Sequence, residues 1–300
     1  MERPEPEESP ARPGSPAGPL PAGATLSAPR RRLVVNADDF GRSHAVNEAV
    51  LRAHEEGILT SASLMVNEPA CDEAVALARA HPRLGVGLHL TLLCGRSALP
   101  PREIPGLVDQ EGLFSSDPVA VGWRYFFQRG LRDQLAREIE AQFQRFRATG
   151  LPLDHVNGHL HLHLHPVVLA LLAARARDWG IQTMRLTRDS WPINARLAGG
   201  RWAYRLSHYF IYLLLAARAR PVLRRLGIRH TRRVFGLLEN ARVTEAYAAG
   251  LLASLPPGDS ELYSHPSLDE ARPEFDALVS PRVKALVAAG GIQLIRYQDL

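Results

Sequence analysis

Cysteine is nearly missing from this chain: Cys71 and Cys94 are the only two among 300 residues. Two cysteines exclude a disulfide framework, and their spacing excludes a thiolate metal centre. They read as packing thiols in a reducing compartment. Long apolar runs are missing too. The longest, residues 209–217, is about half of what a membrane-spanning helix needs. The start, Met1-Glu2-Arg3-Pro4-Glu5-Pro6-Glu7-Glu8, has no apolar segment of a secretory leader, and its acidity argues against a mitochondrial presequence. A cytoplasmic or nucleocytoplasmic protein is the expectation. Arginine carries nearly all of the formal net charge of +5, and it reads as spread along the chain. No block of it resembles a nucleic-acid motif, so no nucleic-acid partner is expected. No glycine loop that would cradle phosphate is present. No serine–histidine–aspartate or cysteine–histidine arrangement stands out as a nucleophile.

What is present suffices for a large core: 46% of residues are hydrophobic and 22% are charged. Residues 1–30 are rich in proline, glycine, alanine, serine and glutamate. They cannot bury enough apolar surface to offset chain entropy, and a disordered arm is expected there. Residues 31–300 are expected to form a single catalytic domain.

Two stretches carry the chemistry. In the first, apolar residues 33–35 lead through Asn36 and Ala37 into Asp38 and Asp39, with Gly41 behind. Residues 33–37 read as a buried strand, and the two carboxylates sit where it ends. A regular strand would aim only one of them into a site. At a strand end both can enter, and differing surroundings would let one bind a metal while the other moves a proton. The second stretch runs from Leu153 to Pro166, with histidine alternating with leucine from His159 to His165. In an extended chain that alternation puts every imidazole on one face. Neutral imidazole is a common ligand for divalent transition metals.

Two lone histidines repeat the theme. His89 ends a buried strand over 84–89 that contains two glycines, a sign of close approach by backbone or ligand. His265 ends a short strand that begins near Glu261. Further strands are expected over 58–67, 182–186, 232–235 and 292–297. Helices are expected after Gly41, over 73–80, 131–149, 167–179, 190–229, 244–255 and 281–289. Residues 94–130 read as a long irregular segment of the kind that forms binding loops, with Phe114, Trp123, Tyr125 and Phe126 in or near it. Strand and helix alternate seven or eight times. That indicates a parallel sheet closed, or nearly so, into a TIM-like (β/α) barrel, with distortion allowed.

In such a barrel the strand ends meet on one face, so Asp38, Asp39, His89, His159 and His265 would converge. One carboxylate and two histidines would leave positions on a metal open for water and substrate. The runs Asn36-Ala37-Asp38-Asp39-Phe40-Gly41, Gly87-Leu88-His89-Leu90, Asn157-Gly158-His159-Leu160-His161 and Ser264-His265-Pro266 resemble the YdjC-like carbohydrate deacetylases, which include the chitooligosaccharide deacetylases. The resemblance covers residues 31–300. It implies a metal-dependent hydrolase that removes acetyl from N-acetylated carbohydrates such as N-acetylglucosamine oligosaccharides. It implies Asp39, His89 and His159 as metal ligands, Asp38 as the proton acceptor and His265 as the proton donor. The implied ion is one magnesium, although the ligand types suit Zn²⁺, Mn²⁺, Fe²⁺ or Co²⁺ at least as well. The family usually has Asp-Ser-His where this chain has Asn157-Gly158-His159, so Asn157 cannot serve as a carboxylate. Asn157, His161, His163 and Arg185 are candidates for contacts behind the ligands or to the substrate. Two other readings stand beside this one. A metallo-phosphoesterase on a similar barrel would bind two metals, and a non-catalytic binding protein would keep the barrel alone. Homo-oligomerisation stays open.

Overall fold

A computed structural model describes Met1 and residues 30–300. The arm expected over 1–30 therefore falls almost wholly outside the described residues. The centre is a parallel sheet of seven strands: β1 (Arg31–Phe40), β2 (Ser61–Leu64), β3 (Gly85–Leu90), β4 (Val156–Gly158), β5 (Arg233–Phe235), β6 (Gly258–Ser264) and β7 (Ile292–Ile295). The strand order is β4-β3-β2-β1-β6-β5, and β7 pairs with β1. One edge of β1 is taken by β6, from Arg31 to Ala37. The other is shared: β7 pairs with residues 31–34 and β2 takes over from Asn36. Leu33, Val35 and Ala37 of β1 are fully buried, as expected for a strand with helices on one face and a filled interior on the other.

The sheet curls into a half-barrel and does not close as a full TIM barrel. The strand expected over 182–186 is what is missing. Those residues make only isolated bridges, Val156 to Met184 and Thr183 to Arg229. Arg185 N–H donates to Val156 O, and Val234 N–H donates to Arg188 O. Single bridges thus span the gap between β4 and β5. Arg185 sits in the middle of this stretch, and its side chain turns inward to two carboxylates.

Helices form where apolar spacing demanded them. The helix His44–Glu55 is capped by Ser43, which accepts from Val46 N–H, and buries Val46, Ala49, Val50 and Ala53. The helix Arg132–Ala148 buries Leu135, Ile139, Phe143 and Phe146, and Phe143 stacks on Trp179 at 4.3 Å between ring centroids. The segment expected to be irregular contains the helix Pro118–Phe127, capped by Asp117. The segment 190–229 divides into the helices Trp191–Leu197 and Trp202–Leu226. The helix Arg272–Val279 was not anticipated.

Candidate metal centre and active site

The carboxylate pair enters the site through a β-bulge. Ala37 pairs with Ala62 and Phe40 with Leu64, so β1 carries one residue more than β2 across this span. Asp39 takes the left-handed conformation, with φ of 66°. The extra residue and the reversed φ turn consecutive side chains into one cavity, which a regular strand could not do. A non-glycine residue held at positive φ is strained backbone of the kind found at functional sites, and aspartate tolerates it better than most.

Asp39 Oδ1 lies 3.2 Å from His89 Nε2 and 3.0 Å from His159 Nδ1. The two imidazole nitrogens are 3.4 Å apart. An ion bound at about 2.0–2.1 Å to three such atoms would separate them by about 2.8–3.0 Å in octahedral geometry and about 3.3–3.4 Å in tetrahedral geometry. The triangle therefore fits a divalent ion, and among the described residues it is the one cluster of three histidine or carboxylate donors so assembled.

His89 is aimed by its neighbour on β4. The register pairs His89 with Asn157, and the two side chains join through His89 Nδ1 and Asn157 Oδ1 at 2.7 Å. Asn157 Nδ2 donates to Asp38 Oδ1 at 3.0 Å and to Ser63 Oγ at 2.8 Å. With its amide so fixed, Asn157 can only accept from His89, which leaves the Nε2 lone pair of His89 for the ion. Asn157 thus orients a candidate ligand without being a carboxylate.

Ser63 Oγ also accepts from Asn36 Nδ2 at 2.9 Å, and His155 Nε2 lies 2.9 Å away. Having accepted twice, Ser63 spends its one proton on His155 Nε2. His155 Nδ1–H then donates to Asp154 Oδ2 at 3.0 Å. The structure therefore assembles a serine–histidine–aspartate row that sequence reading did not find. All three residues are buried, as are Asn36 and Asn157 around Ser63. Its hydroxyl faces the amides that position the site, so the row acts as support. The glycines of β3 make room for it: a Cβ on Gly87 would come within 2.5 Å of His155.

Asp38 faces a different partner. Arg185 Nη1 donates to its Oδ2 at 2.6 Å and Nη2 to its Oδ1 at 2.9 Å. The same guanidinium donates to Glu261 Oε1 through Nε at 2.9 Å and Nη2 at 2.6 Å. Burial alone would raise the pKa of Asp38, but the charge of Arg185 outweighs it and holds the carboxyl far below its usual range. Asp39 is likewise pulled down against burial, by His159 and His89. Asp38 Oδ1 takes bonds from Asn36, Asn157 and Arg185. Oδ2 takes one, from Arg185, and keeps lone-pair capacity on the cavity side.

His265 lines the same cavity as Asp38, Asp39 and His159. Glu274, nearly fully buried, accepts from His265 N–H at 2.5 Å and lies 3.8 Å from its Nδ1. Its Nε2 takes no part in these contacts. Glu261 and Glu274 were both missed from sequence. A charge inside a buried strand was a readable signal for Glu261; Glu274 lies on the unanticipated helix and gave none.

The histidine tract is not extended. His159–Leu164 is a 3-10 turn, with Leu160 and His161 at φ of 46° and 61°. The turn separates the imidazoles. His159 stays at the cavity, while His161 packs edge-on against Tyr212 and Tyr263, each at 5.3 Å. His163 Nε2–H donates to Arg185 O at 3.0 Å. Burial pushes the pKa of His161 well down and that of His163 down to about 3, so both are neutral props.

The YdjC-like protein family matches residues 32–289. The chain belongs to this family. A carbohydrate deacetylase of Mus musculus is 30% identical over 92% of this chain and 96% of its own. One of Brevibacillus brevis is 41% identical over 150 residues, which are 50% of this chain. The match spans 57% of that bacterial relative's length. Among solved structures, a protein of Enterococcus faecalis V583 named for cellobiose-phosphate cleavage superposes with a TM-score of 0.69 over 90% of this chain, at 24% identity. That likeness speaks for the fold alone.

Proposed function

We propose that this chain is a metal-dependent carbohydrate deacetylase, releasing acetate from N-acetylated sugars. The observation that carries the reading is a three-donor cluster at the wall of a cavity, with Asp39 and His159 of the cluster lining it beside Asp38 and His265. Family membership and the names of the relatives agree with it.

Asp39, His89 and His159 would hold a divalent ion, which when bound polarises an amide carbonyl and acidifies water. The chain's own groups then divide the proton work. Asp38, kept ionised by Arg185 and oriented by two asparagine amides, receives the proton of the attacking water at Oδ2. His265, backed by Glu274, delivers a proton to the departing sugar nitrogen, so the amine leaves neutral. Asn157 sets the tautomer of His89 and the position of Asp38 together. The two-histidine, one-carboxylate set suits Zn²⁺, Mn²⁺, Fe²⁺ or Co²⁺ as well as Mg²⁺.

The test is acetate release from N-acetylglucosamine oligosaccharides, before and after chelation, with bound metal measured in parallel. Acetate production that disappears with the metal and returns on its replacement is expected. Acetate release indifferent to chelation would remove the ion from the reading, and a metal-bound protein inert on every N-acetylated sugar would remove the deacetylase.

A further inference from the structure

Between Asp189 and Glu239 the sequence contains ten arginines and no acidic residue. The whole chain carries only +5, so the remainder is net acidic. The basic charge is concentrated here, contrary to the even spread read from composition. Most of this segment is the helix Trp202–Leu226.

The outward side of that helix is the wrong kind for water. Trp202, Leu206, Phe210, Leu213 and Leu214 are all exposed, with Phe210 at 59% and Leu214 at 63%. At about 100° per residue these positions share one third of the helix circumference. A helix lying on a water-facing surface normally carries charge there. Farther along, Arg218, Arg220, Arg224 and Arg225 are exposed on the same side. The apolar surface continues onto the helix Pro118–Phe127, where Ile211 shares a groove with Trp123, Phe126 and Phe127. Trp123 and Phe127 stack at 5.1 Å.

We propose that this face is a docking surface for an anionic lipid bilayer, with the helix Trp202–Leu226 lying flat in the headgroup region. Three observations select that occupant. No helix among the described residues is long and apolar enough to cross a membrane, so the apolar side meets a bilayer only from its surface. A second copy of the chain would bring one acid-free arginine block against another, and like charges in contact oppose the pairing. A nucleic acid would answer the arginines but offers nothing to a row of leucine and phenylalanine. A bilayer with anionic headgroups satisfies both at once, with acyl chains for the apolar residues and phosphates for the guanidinium groups. The inner side of the helix is already committed: Tyr212 packs on His161, two residues from the candidate ligand His159. The helix therefore packs directly on the turn of the site, and docking would set the cavity's orientation to the bilayer whatever chemistry it performs.

The test is co-sedimentation of the full chain with vesicles of phosphatidylcholine alone and of phosphatidylcholine mixed with phosphatidylglycerol. Binding to the mixed vesicles only, weakened by salt, is expected. Phe210→Ser with Leu214→Ser should lower it tenfold or more. Arg224→Gln and Arg225→Gln should each lower it roughly fivefold. Unchanged circular dichroism and unchanged acetate release from a soluble oligosaccharide would certify the fold of each variant. The wild-type comparison of the two vesicle types decides even if a variant does not fold. Equal binding to both vesicles, or to neither, overturns the proposal. So does a dimer in sedimentation equilibrium that Phe210→Ser and Leu214→Ser dissolve, which would give the face to a second copy.

Discussion

Asp38 and Asp39 are adjacent in sequence and have different partners in space, so exchanging each for its amide should produce different losses. Asp38→Asn keeps the shape but cannot take a proton. It should retain metal and lose on the order of 10²–10⁴ in rate. Asp39→Asn removes the only anionic donor of the cluster and should lose the metal itself; equilibrium dialysis beside kinetics separates the two. The opposite pattern would exchange the two roles. Asn157→Leu leaves His89 Nδ1–H without a partner and should weaken metal binding about 10–100-fold, with a metal titration as the check; an unchanged affinity would show that the asparagine does not aim the ring. Sequence gave access to this site only in part. Histidines and carboxylates at strand ends were visible as types in places. Arg185 was visible as a lone charge in a strand-like run, but its bidentate grip on Asp38 depends on residues 147 positions apart, which no local pattern encodes. Ser63 and His155 were invisible for the same reason.

At the scale of elements, the departures from expectation occur where the backbone leaves regular geometry. The two aspartates share a cavity because β1 bulges. The histidine tract reads as strand by its period of two, yet Gly158 ends β4 and the chain coils. Alternation defines faces only if the chain stays extended, and Leu160 and His161 at positive φ break that condition. The turn has a measurable signature in acid. His163 is held neutral, with its pKa pushed from 6.5 down to about 3. Between those values the unfolded chain binds a proton that the native state refuses. Stability should therefore fall as pH drops through this window, by up to about 1.4 kcal/mol per pH unit from this group. His163→Gln, which can still donate to Arg185 O, should flatten that slope in urea denaturation run at several pH values. An equally steep slope in the variant would assign the acid sensitivity to other groups.

For the whole molecule, the rhythm of strand and helix was enough to expect a parallel sheet with its site at the strand ends, and not enough to say whether the sheet closes. The gap between β4 and β5 is spanned by single bridges and by the Arg185 guanidinium, which ties the 183–188 segment to Asp38 on β1 and Glu261 on β6. Arg185→Leu would leave two buried carboxylates without their cation, at a cost of about 3–5 kcal/mol. For a domain of this size that corresponds to a fall in melting temperature on the order of ten degrees. A melting temperature within a degree or so of wild type would mean that the bridges alone hold the half-barrel together.

The hydrogen bonds from His89 through Asn157, Ser63 and His155 to Asp154 all run in one direction. No link can be exchanged alone without setting donor against donor or acceptor against acceptor. An aspartate at 157 would face Asp38 and accept where the amide now donates, so it would have to carry a proton or be met by changed neighbours. Inheritance at these positions is therefore expected to be joint. Relatives should carry the set intact or carry it replaced together, and chains that mix the two should fold yet bind metal poorly.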